Sequence, residues 1–215
     1  MNQPWLLPPN LSEFSQSIHD KGASFDNVWG FIDGTLRACC RPSQYQRTVY
    51  NGHKRYHGLK YQSVVTPSGM IANLFGPIEG KRHDSAMLMF SGLMQQLQQY
   101  SHDVNGNILC LYGDAGYPLR QYLQAPFGGA NLTRQEEEFN TAMSKVRVSV
   151  EWVFGDVVNY FKFNDFKKNL KIGLSQIGKF YRVSAILTNA YTCLYGNNIE
   201  TFFNISPPLL EEYFQ

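Results

Sequence analysis

Apolar and polar positions along this chain fall into blocks, and the blocks predict a mixed α/β order. Val28 to Thr35 (VWGFIDGT) reads as a buried strand ending in Asp33-Gly34. Tyr56 to Thr66 and Met70 to Phe75 read as two strands joined at Pro67, Ser68 and Gly69, a hairpin signal. His83, Asp84 and Ser85 open an amphipathic helix to about Tyr100, with Met87, Leu88, Phe90, Leu93, Met94 and Leu97 as its apolar set. Ile108 to Tyr112 (ILCLY) is a continuous apolar run, as expected of a central strand covered on both faces, and it ends in Gly113-Asp114. Thr133 with Glu136 three residues on is a capping-box pattern. It opens a long helix with the stripe Phe139, Met143, Val146, Val150, Val153, Phe154 and Val157. A last helix is expected from about Gly173 to Tyr195, with Ile177, Tyr181, Ser184, Leu187, Ala190 and Leu194 on one face. Residues 1–26, rich in Pro, Ser, Asn and Gln, read as an N-terminal tail, and 196–215 as a C-terminal tail. The order is that of helices flanking one mixed sheet, over a domain at 27–195.

Length and composition narrow the class. The 215 residues suit one domain, and an apolar fraction of 43% excludes global disorder. No apolar run approaches the roughly 20 residues of a membrane span, so no membrane partner is expected. Cys39, Cys40, Cys110 and Cys193 lack the spacing of a zinc site or a disulfide frame and read as reduced thiols.

The net charge of +2 conceals an uneven distribution. Between Gly34 and Ile78 there is no Asp or Glu, while Arg37, Arg41, Arg47, Lys54, Arg55 and Lys60 fall there with His53 and His57. A second basic stretch holds Lys162, Lys167, Lys168, Lys171, Lys179 and Arg182. Such stretches suit a phosphate-bearing partner, although solvated loop and helix faces would look the same. The two histidines of NGHKRYHG lack further ligands at useful spacing, so that segment reads as a phosphate-facing basic loop rather than a metal pair.

Three acids do not fit a core. Asp33 and Asp114 each end an apolar strand, and in open α/β sheets sites lie outside strand ends. Taken singly, each is also explained as a turn cap before glycine. Glu151 falls at the edge of the apolar stripe of the long helix, beside Arg147; taken alone, it reads as a boundary residue paired to that arginine. Converging carboxylates repel one another unless cations sit between them. Mg²⁺ or Mn²⁺ suits hard oxygen ligands, and two such ions about 3.5–4 Å apart would serve phosphodiester cleavage.

Four blocks in order, VWGFIDGT, GKRHDSAML, YGDAGYP and FNTAMSKVRVSVEWVFG, resemble the PIF/Harbinger-type transposases, whose catalytic part is a DDE superfamily endonuclease domain with a ribonuclease-H-like fold. The resemblance covers roughly residues 27–193. It implies Asp33, Asp114 and Glu151 as catalytic acids and metal ligands, two divalent cations (Mg²⁺ or Mn²⁺), and DNA as substrate. It also implies a nuclear location and the candidate partners of the family, a separate Myb/SANT-like DNA-binding protein and a second copy of the chain. His83 and Asp84 match the family's HD block and are candidates near the metals or the substrate; capping of the following helix by Asp84 or Ser85 is the other reading. Arg147 is a candidate to orient Glu151 or to contact phosphate. Arg47, Lys54, Arg55 and Lys60 are the DNA-backbone candidates, and Tyr117 and Pro118 read as loop-shaping. No helix-turn-helix pattern precedes the first strand, so a catalytic domain without its own sequence reader is expected. The alternative is a catalytically inert, truncated or host-recruited domain that binds DNA or protein through the same fold.

Overall fold

A computed structural model of the chain describes residues 2–165, 171–173 and 176–215. It is a mixed α/β structure, a six-stranded mixed sheet flanked by helices, consistent with a ribonuclease-H-like fold. In chain order the elements are α1 (Pro8–Asp20), β1 (Val28–Ala38), α2 (Gln46–Val49), β2 (Tyr50–Asn51), β3 (Tyr56–Val65), β4 (Ile71–Glu79), α3 (Asp84–Ser91), α4 (Leu93–Tyr100), β5 (Cys110–Tyr112) and β6 (Leu123–Gln124). These are followed by α5 (Arg134–Arg147), α6 (Ser149–Tyr160), α7 (Ile177–Tyr195), α8 (Asn198–Phe203) and α9 (Leu210–Tyr213). Among the described residues, no helix is long and apolar enough to cross a membrane.

β1 is the centre of the sheet. It pairs antiparallel with β3 on one side and parallel with β5 on the other. β4 continues the antiparallel meander beyond β3, and β6 adds a parallel neighbour to β5. The first five residues of β1 are all buried, as a central strand with both faces covered requires. The β3–β4 turn falls where the proline-glycine signal put it, and Gly69 supplies the left-handed backbone with φ of 75°. The stripe expected on the long helix is the buried face: Met143, Val146, Val150, Val153, Phe154 and Val157 all lie in the core.

Both expected tails are instead part of the packing. Residues 8–20 form α1, started by Pro8 and Pro9 in its first turn, a position that needs no backbone N–H. Leu11, Phe14 and Ile18, at helical spacing, enter the core. The polar residues between them mask this stripe in a compositional reading. At the other end, Asn197 Oδ1 caps α8 by accepting from the Ile199 and Glu200 N–H groups, each at 2.9 Å. Its Nδ2 donates to Gly69 O at 3.1 Å, which ties the C-terminal segment to the β3–β4 turn. Ile199, Phe203 and Ile205 are buried behind that tie.

Two expected helices are interrupted. Gly92, with φ of 63°, separates α3 from α4, and Phe90 is left exposed. A turn at Val148 separates α5 from α6, and there the buried Ser149 Oγ donates back to Val146 O at 2.8 Å. α7 begins at Ile177 rather than Gly173; Ile177, Tyr181 and Ser184 of the expected face are buried, but the C-terminal half turns a different face inward from the one its leucines suggest. Leu187 and Leu194 are 43% and 57% exposed, while Thr188, Asn189 and Thr192 are buried. Hydrogen bonds reverse the expectation. Asn189 Oδ1 accepts from Ile71 N at 2.8 Å, and its Nδ2 donates to Ile71 O at 2.9 Å, closing the first residue of β4. A buried amide so satisfied is held more firmly than an apolar side chain that leaves the strand unpaired.

If α1 belongs to the core, Ile18→Ala will lower the unfolding free energy by about 2–4 kcal/mol, read from urea denaturation. A loss below about 0.5 kcal/mol would show that α1 is a detachable lead-in.

Candidate active site

The parallel register sets the site. Phe31 stands beside Tyr112, the last pair of the parallel register; two positions on are Asp33, still within β1 and opposite Ser63 of β3, and Asp114, two residues past the end of β5. The first strand does not end at Asp33-Gly34 as expected: pairing with β3 carries β1 on to Ala38, while β5 has already stopped, so Asp33 stands on β1 where its β5 neighbour gives way to the Asp114 loop. Gly34 and Gly116 follow them and hold their carboxylates through local bonds: Gly34 N donates to Asp33 Oδ1 at 2.7 Å, and Gly116 N to Asp114 Oδ1 at 2.9 Å. Both aspartates line a cleft of about 680 Å³, together with Asp84 and Glu151. The cations lining it are Lys54, Lys60, Lys81, Arg82 and Arg147, with His53 and His83 at its walls.

Asp84 comes closer to Asp33 and Asp114 than its sequence position suggests. β4 runs in the same direction as β1, and its exit delivers the first turn of α3 to this cleft. A Cβ on Gly34 would run into the Asp84 carboxylate, which would have to turn aside to make room. A carbon placed on Gly116 would lie 3.0 Å from Asp114 Oδ1 and 3.5 Å from Asp84 Oδ2. One atom-sized point thus touches both carboxylates. The capping alternative for the HD pair is not what forms: His83 is the N-cap residue and makes no side-chain cap bond, and Asp84 points to Lys60.

Two internal cations compensate the acids. Arg147 Nη1 donates to Asp33 Oδ2 at 3.4 Å, so this arginine serves the strand acid across the fold rather than Glu151 one turn away. The turn at Val148 lies between Arg147 at the end of α5 and Glu151 in α6. Lys60 Nζ lies 2.9 Å from Asp84 Oδ1 and donates to Arg82 O at 3.1 Å. The approach to Asp84 is misaligned for a hydrogen bond, and Oδ1 is left buried without a directed donor. Lys60 is itself buried, so its ammonium lies inside the site and is not presented as a surface contact for a DNA backbone. Arg47, Lys54 and Arg55 are exposed, and of these Lys54 reaches the cleft wall. Lys167 and Lys168 of the second basic stretch lie outside the described residues.

Burial pushes the Asp33 carboxyl from its ordinary 3.8 up to about 6; Arg147 and the Gly34 N–H oppose this, while Asp114 and Asp84 add to it. Glu151 lines the same cleft but is solvent-exposed. Tyr117 is the residue the sequence reading undervalued. Its ring packs against Gly113, where a Cβ would lie 2.7 Å from Tyr117 Cδ2, and only 4% of the residue is exposed. Its hydroxyl has no hydrogen-bond partner and feels the charges of Asp84, Asp33 and Asp114. Lys81 and Arg82 were also passed over as cleft residues, although they stand directly before the HD pair in GKRHDSAML.

In kind, the donors suit a hard divalent cation, since Asp33, Asp84, Asp114 and Glu151 offer only carboxylate oxygens. The set is not preassembled. Among the described residues no three His, Cys, Asp or Glu side chains stand grouped as a ready metal site. Arg147 and Lys60 supply positive charge beside Asp33 and Asp84.

A family model described as DDE superfamily endonuclease matches residues 32–189. No curated protein and no solved structure is significantly similar to the chain.

The raised Asp33 value has a consequence for stability. With the folded-state value near 6 and the ordinary value at 3.8, the folded state holds the proton more tightly. The contribution of Asp33 is then most favourable below about 4 and is lost as pH rises through 6. In chelator, Asp33→Asn should gain on the wild type by roughly 1–3 kcal/mol between about pH 4 and pH 7, read from urea midpoints at each pH. A difference that stays constant across this window would contradict the assignment.

Proposed function

The chain belongs to the DDE superfamily endonucleases, and from this we propose that it is the catalytic domain of a PIF/Harbinger-type transposase, cutting DNA with divalent cations. The observation that carries the reading is the parallel register that brings Asp33, on β1, and Asp114, just past β5, into one cleft walled by basic side chains. Asp33 would hold Mg²⁺ or Mn²⁺ from within β1 and Asp114 from the loop just past β5, and Glu151 would complete the set from α6. When bound, two such ions supply an activated water and stabilise the leaving oxygen in phosphodiester hydrolysis.

The rest of the work falls to the chain itself. Lys54, Lys81 and Arg82 line the cleft and would hold the phosphate backbone by charge, with Asn51 and His53 adding hydrogen bonds. Arg147, relieved of Asp33 when a cation neutralises that acid, is within the same cleft and would turn to a phosphate. The reading carries a nuclear location with it. A separate Myb/SANT-like protein that reads sequence and a second copy of the chain are the partners it calls for.

One observation favours a second reading. Arg147 and Lys60 neutralise Asp33 and Asp84 internally, so the acids stand without any added cation. A domain that binds DNA without cutting it would be stable in this form.

Nicking of supercoiled plasmid separates the two. Cleavage by the wild type should require Mg²⁺ or Mn²⁺ and stop in chelator. Asp33→Asn, Asp114→Asn and Glu151→Gln should each reduce it at least about a hundredfold while DNA is still bound. Equal inactivity of wild type and Asp114→Asn, with DNA binding intact, would favour the binding module. Lys54→Ala should weaken DNA binding across all sequences and lower the salt slope of log affinity by about 0.9. An unchanged slope would place the backbone path elsewhere.

A further inference from the structure

Asp84 is the acid that the three-residue scheme leaves unused, yet it sits deeper beside Asp33 and Asp114 than Glu151 does. Its carboxylate lies over Gly34, directly after Asp33, and shares a contact point with Asp114 over Gly116. Its Oδ1 is buried and lacks a directed donor, although Lys60 Nζ is 2.9 Å away. A second and independent feature marks the same spot. Tyr117 is almost fully buried, its hydroxyl is unpartnered, and the acids whose charge reaches that hydroxyl are Asp84, Asp33 and Asp114. A buried hydroxyl left open within the field of three carboxylates is costly unless the cluster closes on something.

We propose that Asp84 is a further ligand of the divalent-cation site, facing Asp114 across the Gly116 contact point, and that Lys60 is the internal cation standing in its place when no metal is bound. This rests on the metal-dependent reading above. The chemistry is consistent: an ammonium and a hard divalent cation compete for the same carboxylate oxygen, and the metal, with twice the charge and a shell of oxygen ligands, is the stronger bridge between Asp84 and Asp114. Lys60 has somewhere to go, since its second partner, Arg82 O, lies on the cleft wall. In the liganded cluster the Tyr117 hydroxyl would donate to a carboxylate oxygen, which makes it a positioning residue.

The test is a calorimetric titration of the full chain with MnCl₂, for wild type, Asp84→Asn, Lys60→Met and the double variant. Asp84→Asn is expected to weaken Mn²⁺ binding at least about tenfold. Lys60→Met, which removes the competitor, is expected to tighten it several-fold, and that gain should vanish in the Asp84→Asn background. Mn²⁺ binding by Asp84→Asn equal to wild type would overturn the proposal and leave the metal-dependent reading standing. A Lys60→Met gain that persists undiminished in the double variant would do the same, since it would reflect general charge removal. Should Asp84→Asn fail to fold, an affinity of Lys60→Met no tighter than wild type would be sufficient to overturn it. No Mn²⁺ binding by the wild type would sink both readings.

Discussion

Parallel pairing between β1 and β5 is the constraint on which the rest depends. Because Phe31 lies beside Tyr112, the two strands end their shared run at one level, and each then presents an aspartate. A slip of one residue would turn one of these acids to the other face of the sheet. Parallel neighbours also need a long crossover. Here the crossover holds β3, β4, α3 and α4, and so it brings Lys60 and Asp84 back to the same cleft. One strand pairing thus positions two acids directly, and through its connection a third acid and a cation.

Crowding acids at the end of a buried sheet carries an electrostatic cost, and the fold meets it with side chains of its own. Arg147 comes from the C-terminal end of α5, and Lys60 from the strand next to β1. Neither pair is made at the exposed surface, where ion pairs contribute little. Their role here is to let the carboxylates converge at all. The upward shift at Asp33 shows that compensation is incomplete: desolvation outweighs the arginine.

What could be read from the sequence follows from which physical signal dominates locally. The end of β5 was legible because its apolar run stops at Gly113-Asp114; the end of β1 was not, because pairing with β3 carries that strand past Asp33-Gly34 to Ala38. The α5–α6 stripe was legible because apolar burial alone decides that face. Along α7 the first turns were legible in the same way, through Ile177, Tyr181 and Ser184, but the C-terminal half was not, because Asn189 is placed by bonds to Ile71 that no periodicity encodes. α1 was hidden by composition, with three core residues among Ser, Gln and Asn, although Pro8 and Pro9 marked its start. At the site, the basic stretch after Gly34 was read as one surface. Strand alternation instead turns Lys60 inward to Asp84, while the loop carrying Lys54 and Arg55 faces out. Arg147 was assigned to its helix neighbour, since a sequence shows i+4 partners and not an acid 114 residues away. Tyr117 gave no signal of its own, because its weight comes from what surrounds it.

Gly34 sets how such a site can be lost. Its absent side chain is the space the Asp84 carboxylate occupies. A change from glycine to alanine needs one base, adds one methyl and alters no charged residue. It would nonetheless push Asp84 away from Asp33 and Asp114 while every acid and cation stayed in the chain. A lineage counted by its carboxylates alone would then be scored as intact long after its site had come apart. The glycines that follow Asp33 and Asp114 shape this cleft as much as the acids themselves do.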